Sequence, residues 1–167
     1  TVLQTDGSGN LSFANNITTL NSGGLSVSGS SNADFTSLPS GIKKITVMFY
    51  GVSGSGNDNL AVQLGTSSGF KTSGYLSFSN ADNSLVNILN GFGVLGIDNA
   101  NTLGGIMTIA HMGSNVFVSK HTVRANTSTG CFGAGQVDLG GTLTQLRVTP
   151  TGSDTFDAGL VNIMYEL

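Results

Sequence analysis

Apolar and polar residues alternate with period two along most of this chain, the spacing produced by a pleated strand whose side chains point alternately to opposite faces. In GIKKITVMFYGVS, residues 41–53, Ile45, Val47, Phe49 and Gly51 fall on one face, and Thr46, Met48, Tyr50 and Val52 on the other. Apolar residues on both faces predict a central strand buried on both sides. Similar short runs recur in LAVQLG (60–65), GYLSFS (74–79), GIMTIAHM (105–112), NVFVSKHTVR (115–124), LTQLRVT (143–149) and GLVNIMYEL (159–167), separated by clusters of Gly, Asn, Asp and Ser. Roughly eight to ten strands with turn signals about every ten residues predict an all-β fold, an antiparallel β-sandwich of jelly-roll type. One helix is expected, a short one within NADNSLVNILNGFG (80–93), starting after Asn80 or Asp82 and ending at Gly91.

The beginning of the chain reads differently. In VLQTDGSGNLSF (2–13) a turn cluster, Asp6 to Asn10, separates two short alternating runs and predicts a β-hairpin. A two-stranded hairpin is marginal on its own in water, so something outside the segment must cover it. NSGGLSVSGSSN (21–32) reads as a connector with one short strand. The expected organisation is therefore an N-terminal hairpin and linker over 1–31, followed by a sandwich domain over 32–167. The sequence opens on Thr1 and not Met, which suggests a fragment or a processed product.

Composition narrows the classes. Charged residues are 9% of the chain and hydrophobic ones 38%, so a core is affordable and disorder is not expected. The net charge of −3 and six Lys and Arg residues, scattered apart from the Lys43-Lys44 pair, do not assemble the basic face that nucleic-acid binding needs. No apolar run approaches the roughly 18–20 residues of a membrane-spanning helix, and no membrane insertion is expected. The single Cys131 has no intramolecular partner for a disulfide and reads as a small buried strand residue.

Candidate chemistry is sparse. His111 and His121 flank a hairpin turn at Gly113-Ser114-Asn115; with that turn closed, His111 lies opposite about Phe117 and His121 opposite about Met107, too far apart for one metal ion. No G-x-S-x-G elbow is present. GVSGSGN (51–57) has the glycine content of a phosphate-cradling loop but lacks the lysine and the following helix. Asp154 and Asp157, three apart in GSDTFDAG (152–159), supply too few oxygens for Ca²⁺ and read as Asx caps of a tight turn into the last strand. No catalytic residue, metal ligand or cofactor is assigned, and the expected class is not an enzyme.

Three segments in order, SGIKKITVMFYGVSGSG, VQLGTSSGFKTSGY and GSDTFDAGLVNIMYE, resemble a β-domain of tail fibres and other surface-exposed virion proteins of tailed bacteriophages; VLQTDGSGNLSF resembles a segment that precedes globular tips in such proteins. The matching residues are Gly41 to Phe49, Gln63 to Gly65, Ser73 to Tyr75 and Ser153 to Gly159. The resemblance implies a homotrimer on the virion surface without enzymatic activity, and transfers no site residues. It leads to a terminal fibre or spike domain that binds a host-surface glycan or protein, or alternatively to a capsid decoration or head-fibre protein contacting capsid subunits. A trimer gives the hairpin its cover, because three copies around an axis can bury Leu3, Leu11 and Phe13 against one another. Receptor contacts are expected in loops, with Asn57, Asp58, Asn99 and Asn101 as the candidates for bonding sugar hydroxyls.

Overall fold

A computed structural model of the chain describes residues 2–5, 7–14, 17–19, 22–96 and 100–167. Its strands in chain order are β1 (Val2–Thr5), β2 (Leu11–Ala14), β3 (Ile17–Thr19), β4 (Leu25–Ser26), β5 (Ala33–Phe35), β6 (Lys44–Gly54), β7 (Leu60–Thr66), β8 (Gly69–Phe70), β9 (Leu76–Ala81), β10 (Ser84–Asn87), β11 (Phe92–Val94), β12 (Leu103–Gly113), β13 (Val116–Arg124), β14 (Gly130–Asp138), β15 (Gln145–Pro150) and β16 (Phe156–Glu166). All pairings are antiparallel, and the fold is an all-β sandwich. The large sheet runs β10-β9-β14-β13-β12-β6-β16-β3, with β4 also on β16; the small one runs β11-β7-β15-β5, with β8 also on β7.

The core lies between the sheets. Ile45, Val47 and Phe49 of β6, Met107 and Ile109 of β12 and Val161 and Ile163 of β16 face Leu60, Val62 and Leu64 of β7 and Leu146 and Val148 of β15, all buried. Each such side chain contributes about 1.5–3 kcal/mol of transfer free energy, which is why the alternation is held so strictly on this face. The hydroxyl of buried Tyr75 accepts the Leu64 N–H at 2.8 Å, and its ring meets Phe92 edge-on at 5.1 Å.

β6 is central, between β12 and β16, but it is not buried on both sides as its sequence suggests. Thr46 and Met48 are half-buried and Tyr50 is 76% exposed on the outer face. Nor does the alternation run through Gly51: Phe49 and Val52 are both buried. Gly51, at φ +63°, resets the phase, and β16 makes matching register shifts around Ala158. Such bulges add a residue to one strand and turn the following side chains to the other face.

The expected helix in 80–93 is absent. Asp82 and Asn83 both take positive φ, 49° and 63°, and close a two-residue turn from β9 into β10. Two left-handed residues in succession match the twist of a hairpin, and Asp and Asn tolerate that conformation better than other side chains. Leu85, Ile88 and Leu89, read as a helix stripe, instead straddle the end of β10 and the loop before β11.

At the N-terminus, β1 and β2 pair only with each other among the described residues, Leu3 opposite Phe13 and Thr5 opposite Leu11. Positions 3, 5, 11 and 13 share one face of this hairpin by alternation. Residues further along the segment lie on the sandwich: Ile17 to Thr19 pair with Glu166 to Met164, Leu25 and Ser26 pair with Val161 and Leu160, and Val27 is fully buried with its N–H on Gly159 O.

Candidate functional site

Antiparallel pairing sorts the loops to two ends of the sandwich. β6 finishes at Gly54 beside the start of β16, and Leu103, the first residue of β12, lies opposite Val52. The end of β13 pairs with the start of β14 through Arg124 and Gly130, and Cys131 lies opposite Ala81 at the end of β9. Leu60 at the start of β7 lies opposite Pro150 at the end of β15. Loops 55–59, 82–83, 125–129 and 151–155 therefore emerge at one end, as do Leu95 and Gly96 after β11 and residues 100–102 before β12. At the other end, Ile17 enters the large sheet opposite Glu166, the last residue of β16.

Three of the four candidate receptor residues lie at the loop end, and Asn99 lies outside the described residues. Asn57 is exposed on loop 55–59. Asp58 is half-buried and already engaged: one of its carboxylate oxygens accepts the Asp154 N–H at 2.9 Å, while Asp154 accepts the Asp58 N–H at 2.8 Å. Gly56 and Gly152 sit beneath these carboxylates, where a Cβ would collide with Asp154 and Asp58 respectively. Asp154 thus caps a loop 96 residues away in sequence, not its own turn as expected. Asp157 accepts from the Ser53 hydroxyl, again a distant partner. Asn101 accepts a hydrogen bond through Oδ1 from Asn126 Nδ2 at 3.0 Å. Asp58 is therefore tied to loop 151–155, and Asn101 to loop 125–129.

Asn126, which begins one of three N-x-[ST] sequons that chance explains in a chain this rich in Asn, Ser and Thr, was not among the candidate site residues, yet it organises the β13–β14 loop. Its Oδ1 accepts the N–H groups of Ser128 and Thr129 at 2.8 and 2.7 Å and also the Ser128 hydroxyl. An Asx turn of this kind satisfies backbone donors that the ladder leaves free. Beyond it the Thr129 hydroxyl donates to Asp82 Oδ2 at 2.8 Å, joining the β9–β10 turn to the same loop. The Asn-Thr-Ser-Thr run after Ala125 was the available signal.

The outer face of the large sheet passes beside these loops. Register places Arg124 of β13 between Gly104 of β12 and Gly130 of β14, and Thr122 between Ile106 and Phe132. The resulting groove, about 490 Å³, is lined by Gly104, Thr122, Arg124, the 126–129 loop and Gly130. Lys44 pairs with Glu166, and Arg147 pairs through two 2.7 Å bonds with Asp34 while stacking on Phe70. Hydrogen bonding to Asp34 raises the Arg147 pKa. Arg124 has no ion pair among the described residues.

The histidines occupy the register positions read from the turn, His111 opposite Phe117 and His121 opposite Met107. His111 stacks on Phe117 with centroids 4.8 Å apart. His121 is buried, with Nε2 3.0 Å from Ser79 Oγ, which also accepts the Leu95 N–H. Burial lowers its pKa from 6.5 to about 4, so the imidazole is neutral. Cys131 is buried as expected, its thiol donating to Leu95 O at 3.0 Å, and burial raises its pKa. Among the described residues no three His, Cys, Asp or Glu side chains gather into a metal site.

No family model, curated protein or solved structure matches the chain.

Proposed function

We propose that this chain is a non-enzymatic display domain of a tailed-bacteriophage virion, the terminal part of a homotrimeric tail fibre or spike that contacts a host-surface receptor, a glycan in first place. The observation that carries the reading is the polarity of the domain. The N-terminal segment joins the large sheet at the end marked by Ile17 and Glu166, whereas the loops bearing Asn57, Asp58 and Asn101 emerge at the opposite end. A stalk at one end and variable contact loops at the other is the arrangement a tip requires, because a rigid scaffold holds loops whose sequences are free to vary.

The hairpin supports self-association. Leu3 is 54% and Leu11 68% exposed, on one face of a two-stranded ribbon that pairs with nothing else among the described residues. Three copies around an axis would bury that face, and the apolar residues then become the contact instead of a liability.

Light scattering of the full chain beside the Leu3→Ser/Leu11→Ser double variant tests this. The reading expects three times the 17.0 kDa chain mass, with the variant already dissociating at concentrations where the parent remains trimeric. A monomer in both cases overturns the trimeric account.

A further inference from the structure

Resting on the reading of the loop end as a receptor-contacting surface, we propose that the groove around Arg124 binds a carboxylate-bearing sugar, a hexuronate or a nonulosonate, with the guanidinium taking the carboxylate. Neither the candidate loop residues nor the resemblance assigns this groove.

Charge and shape point the same way. Arg147, the other arginine, is neutralised by Asp34 and covered by Phe70, while Arg124 is exposed and has no carboxylate partner among the described residues. Both of its cross-strand neighbours are glycines, Gly104 and Gly130. A Cβ on Gly104 would find only the Arg124 guanidinium, at 4.0 Å, and one on Gly130 only Val123 O, at 3.8 Å. The guanidinium thus lies over an open floor, with its planar fork free to form two parallel bonds to a carboxylate. Among the described residues, Asp82 is the acid nearest this rim in the strand order; it lies beyond Gly130 and accepts from the Thr129 hydroxyl.

An anion site alone would not select a sugar; the neighbouring side chains do. Phe132 is 56% exposed on the same outer face. It lies opposite Thr122, so it is diagonal to Arg124, about 7–8 Å away between backbones. That spacing lets a pyranose ring lay its C–H face on the aromatic ring, whose π face is negative, while its carboxylate reaches Arg124. Thr122 between them and the 126–129 loop supply hydroxyls for the ring oxygens. A guanidinium, an exposed aromatic and hydroxyls within one diagonal match an acidic sugar and fit a neutral sugar or a bare anion less well.

The test is an amide-detected NMR titration of the full chain with sodium glucuronate, N-acetylneuraminic acid, glucose and inorganic phosphate. Saturable shifts at Thr122, Arg124 and Phe132 are expected for the two sugar acids, at affinities about tenfold or more above glucose and phosphate. Arg124→Ala should abolish the preference for the acids, and Phe132→Ala should weaken them without removing it. Gly104→Val, which adds bulk on the floor where the backbone has room, should block both. Equal binding of glucose and glucuronate, shifts with phosphate that match the sugar acids, or an Arg124→Ala variant that titrates like the parent overturns the proposal. Adsorption of the same variants to host cells separates the two readings. An Arg124→Ala protein that adsorbs fully removes this groove and leaves the display role, while a monomeric chain that still binds glucuronate at Arg124 keeps the groove and removes the trimeric spike.

Discussion

Asp58 and Asp154 hold each other's backbone: each carboxylate accepts the other residue's N–H, at 2.9 and 2.8 Å, and so clamps the β6–β7 loop to the β15–β16 loop. Both residues are half-buried, and the glycines beneath them, Gly56 and Gly152, leave the space that the carboxylates occupy and that a Cβ would take. Removing one partner strands the other's N–H and loses a charge-assisted bond, a cost of about 1–3 kcal/mol. Asp58→Ala and Asp154→Ala are each expected to destabilise by that amount in urea unfolding. Each substitution breaks one bond and leaves the other, because alanine keeps the N–H that the partner carboxylate accepts; as the two bonds close one clamp, the double variant should lose less than the two singles combined, with a coupling energy of at least about 0.5 kcal/mol. Additive losses would show that the two bonds act independently.

How much of this was legible follows sequence distance. Gly113-Ser114-Asn115 signals a turn locally, but the pair that closes it is Gly113 with Val116, not Met112 with Val116, and Ser114 and Asn115 form a two-residue turn at positive φ; a register shift between His111 and Gly113 restores the expected pairing of His111 with Phe117. Asp82-Asn83 carried a turn as well, but Leu85, Ile88 and Leu89 imitate a helical stripe, and nothing nearby says that they lie at a strand end. The shift in phase at Gly51 could not be read either, because the bulge depends on its partner strand β16. The same holds for the sites. Asp154 was legible as a cap, but its acceptor role toward a loop 96 residues away was not. Arg124 gains its open surroundings from glycines on two other strands, a fact that exists only once register is known.

His121 should make the fold acid-sensitive. Its folded pKa, about 4, lies below the ordinary 6.5 because burial disfavours the charged ring. The unfolded chain therefore binds the extra proton first, and this contribution to stability is complete above about pH 6.5 and is lost as pH falls toward 4. The shift corresponds to roughly 3 kcal/mol over that window. Urea unfolding as a function of pH should show the decline, and His121→Gln should flatten it between pH 4 and 6.5 whatever it costs at neutral pH. An unchanged slope in the variant would assign the acid sensitivity to other groups.

Gly159 should tolerate no side chain. Its φ is +107°, and a Cβ would stand 2.5 Å from Val52 Cα, at the bulge where β16 and β6 change register together. A non-glycine residue pays for the backbone conformation and the overlap separately, so Gly159→Ala is expected to cost at least about 2 kcal/mol. Gly41→Ala serves as the control, because Gly41 also has positive φ, +89°, but nothing within 4 Å of a Cβ. Its loss should be the smaller by the contribution of the overlap. Equal losses would mean that β16 moves aside at no cost.

Tyr75 joins packing and hydrogen bonding in one side chain, and pH can separate the two. Its buried hydroxyl is the acceptor for the Leu64 N–H, so Tyr75→Phe keeps the edge-on contact with Phe92 and leaves a buried donor without its partner, at about 1–3 kcal/mol near neutral pH. Burial also raises the phenol pKa from 10.0 to about 12, against the smaller opposing effect of the Leu64 hydrogen bond. A raised folded pKa means that the unfolded chain loses its proton first. The wild-type protein should therefore keep this part of its stability below pH 10 and lose it as pH rises toward 12, whereas the phenylalanine variant has no such proton to lose. Measured by urea unfolding, the gap between wild type and Tyr75→Phe should be widest below pH 10 and should close or reverse by pH 12, since Tyr50 and Tyr165 are common to both chains. A gap that stays constant across this range would place the effect of Tyr75 in its hydrogen bond alone.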